Sequence, residues 1–202
     1  VAIVPLQGGE FYHFGTSREM ISSTVAIQNI VNDQRDIMHH DRKPHPSIFT
    51  QNTLCKVPFT EENRNIWIEN SCVGPHWTLS HDHIVTGVPE NDWTITLAPG
   101  QCIDIIPIGD TQYCVRCYHI NDKFAGAAQQ EKRFPVLDSL EHLENLENLE
   151  SKAVGFLSAE DISNVANLRR LFAQRKAFRS RNWPALARNW QHSVFYQLDL
   201  DD

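Results

Sequence analysis

The chain has 202 residues, 41% of them apolar, enough to build one sizeable core. A formal charge of −7 argues against an unaided binder of nucleic acid or of an anionic membrane surface, because either needs a concentrated basic face. The five cysteines sit at irregular spacings and make no disulfide framework, no apolar run approaches the roughly 20 residues that cross a bilayer, and VAIVPLQGG lacks the basic start of a signal peptide; a cytoplasmic setting is expected.

In chain order, VAIVPL at 1–6 has the β-branched richness of a buried strand, and Gly8-Gly9 ends it. The chain opens in mid-strand without a Met and stops in YQLDLDD, so the expectation is an excised segment of a longer protein. Met20, Ile21, Val25, Ile27, Ile30 and Val31 recur at helical spacing, which predicts a helix from about Ser17 to Val31. Thr16 and Glu19, three apart, form a capping box at its start: the hydroxyl serves the Glu19 amide and the carboxylate reaches back. DQRDIMHHDRKPHPS then reads as a connector.

From 48 to 118, short β-prone runs alternate with Gly, Pro, Asn and Asp, the pattern of a sandwich, a barrel or a solenoid. Trp67, Val73, Leu79 and Val85 fall six apart, the spacing that turns one apolar residue inward on each side of a three-sided parallel β-helix. Glu61 and Asn91 interrupt the register on either side, which leaves the sandwich in contention. Further on, SLEHLENLENLES places Leu140, Leu143, Leu146 and Leu149 three apart and reads as an amphipathic acidic helix. A second helix is expected from Ser158 onward, with Ile162, Val165, Leu168 and Leu171 on one face and arginines on the other, the latter a solvated face and not a phosphate patch.

Three groups of residues invite chemistry. Cys114, Cys117 and His119 resemble half of a zinc site, but an odd spacing in a strand sends the two thiols to opposite faces. His76, His81 and His83 cluster in the β-rich segment, where a coil-borne histidine could act as the general base of a β-helical acyltransferase, or simply occupy a turn. Gly8, Gly9 and Gly15 raise phosphate binding at the helix start, yet the capping box already uses the amides an anion would need, and no P-loop or G-x-G-x-x-G is present.

FYHFGTSREMI resembles the closing motif of sugar-nucleotide pyrophosphorylase domains, an aromatic-x-Asp-x-Gly-Thr sequence that leads from an α/β catalytic domain through a helix into a β-helix. Together with PLQGGEFYHFGTS, GVPENDWTITLAPG, ANLRRLFAQRKAFR and SVFYQLDL, its histidine-bearing form is similar to the bifunctional fucokinase and fucose-1-phosphate guanylyltransferase family of Bacteroides-type gut bacteria. The likeness runs over nearly the whole chain and thins between about Phe124 and Phe156, where the family's stretch is longer.

The resemblance implies a mainly β fold with appended helices: residues 1–40 as the C-terminal edge of the nucleotidyltransferase domain, 41–124 as a parallel β-helix, expected to be left-handed, and 125–202 as a helical linker toward a kinase domain. It implies GTP and fucose 1-phosphate as substrates of the full-length enzyme, with Mg²⁺, and places the nucleotide-gripping loop before Val1. On this reading the segment itself carries no catalytic residue and holds no metal; it supports sugar binding, docking or homo-oligomerisation. Glu10, His13, Gly15 and Thr16 are the substrate-binding candidates. Where many relatives carry a metal-binding aspartate this chain has His13, and a neutral imidazole is a poor ligand for Mg²⁺. His13 is therefore expected to hydrogen-bond the sugar phosphate or a hydroxyl, and Glu10 to accept from sugar hydroxyls. The competing readings are a stand-alone hexapeptide-type acyltransferase using His76, His81 or His83, and a purely structural interaction module.

Overall fold

The six-residue spacing of apolar residues closes into stacked coils. In the computed structural model, residues 7–30, 47–108, 111–127, 131–141, 143 and 146–163 are described. The elements are α1 (Ser17–Ile30), β1 (Ile48–Cys55), β2 (Ile66–Val73), β3 (Trp77–Thr78), β4 (His83–Thr86), β5 (Ile95–Thr96), β6 (Gln101–Ile108), β7 (Gln112–His119), β8 (Arg133–Leu137), a 3-10 turn (Glu150–Lys152), β9 (Gly155–Ser158) and α2 (Ala159–Ser163). The expected strand at 1–6, all but the last residue of the connector at 33–47 and most of the second helix lie outside the described residues.

Strands β1, β2, β4 and β6 stack in parallel, with Ile48 opposite Ile66, Ile66 opposite His83 and Val85 opposite Ile103. Successive coils are thus 17 to 18 residues long, about three hexads each. A second wall forms where β3 pairs in parallel with β5, Trp77 opposite Ile95. Between the walls, Lys56 N–H donates to Val73 O at 2.9 Å and Cys72 N–H to Val88 O at 2.8 Å. The fold is a parallel β-helix of about three turns, and the sandwich alternative is set aside by this parallel stacking.

Two corners recur in each coil, and both need a backbone with positive φ. One falls at Asn52, Asn70 and Gly87 (φ 51°, 49° and 68°), the other at Asn65, Asp82 and Gly100 (φ 54°, 62° and 80°). Asn, Asp and Gly are the residues that tolerate this conformation, and here they stack coil on coil. Asn52 Nδ2 donates to Asn70 Oδ1 at 2.9 Å, and Asn65 Nδ2 to Asp82 Oδ1 at 3.1 Å.

The interior column Ile68, Val85, Ile103 shares one core with Ile66, Val73, Trp77, Ile95 and Leu97. The opposite face of the first wall is apolar too: Phe49, Trp67, Ile84 and Cys102 meet Ile21 and Val25 of α1. Burial of Ile21 (2% exposed) and Val25 (9%) contributes up to about 1.5–3 kcal/mol each, against an extended-chain reference. Trp67 therefore points outward to the helix, whereas Val73 and Val85 point in and Leu79 packs on the core from its edge. Asn91 does not break the coil: it is buried, taking Trp77 Nε1–H and Trp93 N–H on its oxygen and donating to Cys72 O and Pro89 O.

After β6 the chain reverses. β6–β7, β7–β8 and β8–β9 all pair antiparallel, so the sheet order is β1-β2-β4-β6-β7-β8-β9 and the last strands end the solenoid. Beneath this hairpin, nearly buried Asp104 accepts from Thr86 Oγ1 at 2.7 Å and from Arg116, whose guanidinium lies over the rings of Tyr118 and Phe124. The stretch after 125, expected to be helical, carries two strands, and SLEHLENLENLES forms turns at its described residues. Leu143 N–H donates to Leu140 O and Lys152 N–H to Leu149 O, both three residues back. Leu140, Leu143 and Leu149 bury together in the main core. No described helix is long and apolar enough to cross a membrane.

Candidate functional site

The turn at 7–16 is built almost wholly from contacts to itself and to α1. Thr16 Oγ1 accepts from Glu19 N–H at 3.2 Å, the hydroxyl half of the expected capping box, and donates to Glu19 Oε2 at 3.0 Å, so the carboxylate reaches back to the cap residue's hydroxyl. His13 Nδ1 meets the same carboxylate oxygen at 3.0 Å. These bonds, from Thr16 first and then His13, hold the Glu19 carboxyl below the usual carboxylate range despite some loss of solvent. Ser23 Oγ, close to two turns into the helix, donates to His13 O at 2.6 Å and fixes the backbone beneath the imidazole.

The four candidate residues are thus placed individually. His13 is exposed, its Nδ1 committed to Glu19 and its Nε2 without a partner among the described residues. A Cβ on Gly15 would run into the His13 ring, so the glycine is what lets the imidazole lie against the turn. Thr16 spends its hydroxyl on the cap. Glu10 is exposed and takes the Tyr12 hydroxyl, a bond that pushes the Tyr12 phenol up. Glu10 and His13 serve different partners, in keeping with an odd spacing along an extended run. Phe11 and Phe14 flank His13 and stand 86% and 53% exposed, a large apolar area for so short a turn.

This donor set does not suit Mg²⁺. One carboxylate is engaged by Tyr12, the other by Thr16 and His13, and the third group is an imidazole, whereas Mg²⁺ wants several free oxygens in octahedral array.

The solenoid histidines divide sharply. His83 is fully buried, accepts from Ser80 N–H on Nε2 at 2.8 Å and has Nδ1 2.8 Å from Gln101 O, so the ring is the neutral Nδ1–H tautomer with both nitrogens used by the backbone. Burial pushes its pKa down, and the bond to Gln101 only partly opposes this. It has no lone pair left for an acceptor hydroxyl or amine. His76 lies exposed in a turn. His81 Nδ1 contacts Asp82 Oδ2 at 3.0 Å. Cys114 and Cys117 face opposite sides of β7, one in the cluster under β8, the other against the main core, and burial pushes both thiols up to about 12. His119 is exposed and accepts from Asn121 N–H at 3.2 Å.

Sequence reasoning missed the residues that join turn and solenoid. Arg18 Nη1 reaches Asp82 Oδ1 at 3.2 Å and its Nε donates to Asn121 Oδ1 at 2.6 Å. Burial works against ionisation of Asp82, but bonds from His81 and Asn65 and the Arg18 charge outweigh it and hold the carboxyl below its usual range. The Asn65, Asp82, Gly100 recurrence at 17 and 18 residues was the available signal for this corner; nothing in the sequence pairs it with Arg18.

No family model matches the chain, and no solved structure does. Among curated proteins it is 42% identical to the "L-fucokinase/L-fucose-1-P guanylyltransferase" of Bacteroides fragilis, across the whole of this chain. The match extends over 247 residues, more than the 202 here, so the relative carries additional residues within the matched stretch. This chain spans 26% of that relative's length. The resemblance drawn from FYHFGTSREMI and its companion strings is thus borne out, as similarity of the entire chain to about a quarter of a bifunctional fucokinase and guanylyltransferase.

Proposed function

We propose that this chain is the segment of a bifunctional fucokinase and fucose-1-phosphate guanylyltransferase in which residues 1–40 form the rim of the guanylyltransferase site, 41–124 the supporting β-helix and 125–202 the lead toward the kinase half. The observation that carries the reading is the 42% identity maintained along the whole chain to a protein named for both activities. In the full-length enzyme, a fucose 1-phosphate oxygen attacks the α-phosphorus of GTP, the bond from that phosphorus to the bridging oxygen breaks, and pyrophosphate leaves. Such chemistry depends mostly on positioning and charge stabilisation. The segment contributes positioning and no catalytic group.

His13 is the residue assigned to the sugar phosphate. With Nδ1 held by Glu19, the ring is oriented and Nε2 is the atom available for a phosphate oxygen or a hydroxyl. Glu10, braced by Tyr12, is assigned to sugar hydroxyls. The exposed Phe11 and Phe14 suit contact with the upstream domain. In full-length enzyme, His13→Ala is expected to raise KM for fucose 1-phosphate about tenfold, the worth of one hydrogen bond to a charged group, with KM for GTP unchanged. Unchanged kinetics in His13→Ala and Glu10→Ala would favour the purely structural reading. Calorimetry on this chain alone should show no tight GTP binding; tight binding would contradict an upstream nucleotide loop, and binding of an acyl-CoA would revive the acyltransferase.

A further inference from the structure

Among the described residues, the hydrogen bonds and ion pairs of the 7–16 turn all end within the turn or on α1. Tyr12 bonds Glu10, His13 and Thr16 bond Glu19, and Ser23 holds the His13 carbonyl. The turn therefore goes where the first turn of α1 goes. Farther along, α1 is fixed by apolar packing: Ile21 and Val25 are buried on the solenoid wall and Met20 brings that footing up to the helix start. Among the described residues, nothing N-terminal of Met20 joins that cluster. A further polar tie of α1 to the coils, Gln28 Nε2 to Ile48 O at 3.1 Å, lies at the opposite end.

An apolar footing resists withdrawal but does little to stop a helix rolling or its first turn fraying, because the hydrophobic effect is non-directional. Direction comes from Arg18. Its guanidinium spans two separate parts of the solenoid, the Asp82 corner between the second and third coils and Asn121 just after β7. A planar guanidinium held at two points fixes an angle as well as a distance. Asp82 is itself immobilised, bonded by Asn65 and by His81 and only 15% exposed in its side chain.

We propose that Arg18 is a positioning residue: clamped by Asp82 and Asn121, it sets the register of the Glu10–Thr16 turn on the β-helix and so aims His13. The inference rests on the assignment of His13 to the sugar phosphate for its kinetic consequence, but its structural part stands alone. Asp82→Asn is the informative partner variant, since Asn tolerates the positive φ and can keep the Asn65 stack while losing the charge Arg18 needs.

The test is amide hydrogen exchange on the full-length protein, read over 9–20, alongside steady-state kinetics. Arg18→Ala and Asp82→Asn should each speed exchange in that window about tenfold, the double variant no more than either single one, with β2, β4 and β6 unaffected. Arg18→Lys should restore part of the protection through the charge alone. KM for fucose 1-phosphate should rise about tenfold in both single variants while KM for GTP holds. Unchanged exchange at 9–20, or loss of protection spreading through the coil strands, overturns the clamp. Faster exchange with unchanged KM for fucose 1-phosphate upholds the clamp and removes His13 from the sugar phosphate instead.

Discussion

His83 in the solenoid and His13 in the turn before α1 are the same side chain put to opposite uses. In the coils the ring is sealed, and its two nitrogens complete backbone groups that would otherwise be orphaned at Ser80 and Gln101. In the turn the ring is exposed, one nitrogen is oriented by a carboxylate and the other has no partner among the described residues. Asn91 and Asn63 follow His83: both are buried and both serve the backbone, Asn63 Nδ2 donating to Leu79 O and Ser80 O. The polar residues of the β-helix interior are spent on holding coils together. Those of the turn are spent on one another, and that leaves atoms for a ligand.

Truncating the two histidines breaks the comparison open most directly. His83→Ala takes the ring from the part-buried Ser80 N–H and Gln101 C=O and leaves a cavity where the fully buried side chain stood, for an expected loss of about 2–4 kcal/mol in denaturant unfolding. His13→Ala, at an exposed site, should stay within about 0.5 kcal/mol. The pH dependence carries a sign. Burial depresses the His83 pKa, so the folded ring stays neutral while the unfolded chain takes up a proton near pH 6.5. The contribution is complete above about pH 6.5 and is lost as pH falls below that value toward the depressed one. The stability gap between wild type and His83→Ala should narrow over that acidic window; a gap that widens there would mean the buried ring is charged.

Gly87 tests the corners rather than the interior. At φ 68° it occupies the position that Asn52 and Asn70 fill in the earlier coils, and a Cβ there would also run into the backbone oxygen of Ile105. Gly87→Ala should cost about 2 kcal/mol, combining the left-handed penalty with a neighbour that cannot swing aside. Equal stability in urea would show that the third coil's corner has room to shift.

How much of this was legible depends on what sets each feature. The hexad spacing was visible because burial on a three-sided coil repeats locally, and Val73 and Val85 do point inward. Trp67 fits the same spacing but faces α1, because an outer wall covered by a helix is also apolar and a hydrophobic count cannot tell the two faces apart. The 17-residue second coil then shifts the register that a strict six would require. The leucines three apart predict a helix, whereas the described residues there form short turns, one of them closed by Leu143 N–H on Leu140 O. At the site, the capping box was legible because both partners lie within four residues. Arg18 with Asp82 and Asn121 was not, since those contacts span 64 and 103 positions and no local rule links them.

The smallest expected effect sharpens the boundary between the two regions. Thr16→Ala removes a cap worth about 1 kcal/mol to the helix that bears it, and Thr16→Ser should restore most of that. If the turn is energetically separate from the coils, the loss appears as faster exchange at 16–20, with the denaturant midpoint of the solenoid barely moved. Glu19 reports the same event electrostatically. Its carboxyl is held low chiefly by the Thr16 hydroxyl, so its pKa should climb back toward the ordinary range in Thr16→Ala and stay depressed in Thr16→Ser, read from the Glu19 side-chain carbon shift against pH. Losing that donor also loosens Glu19 Oε2, the oxygen that His13 Nδ1 shares. A midpoint shift as large as that of His83→Ala would mean that turn and β-helix melt as one unit, and the distinction between spent and spare polar groups would then describe chemistry but not stability.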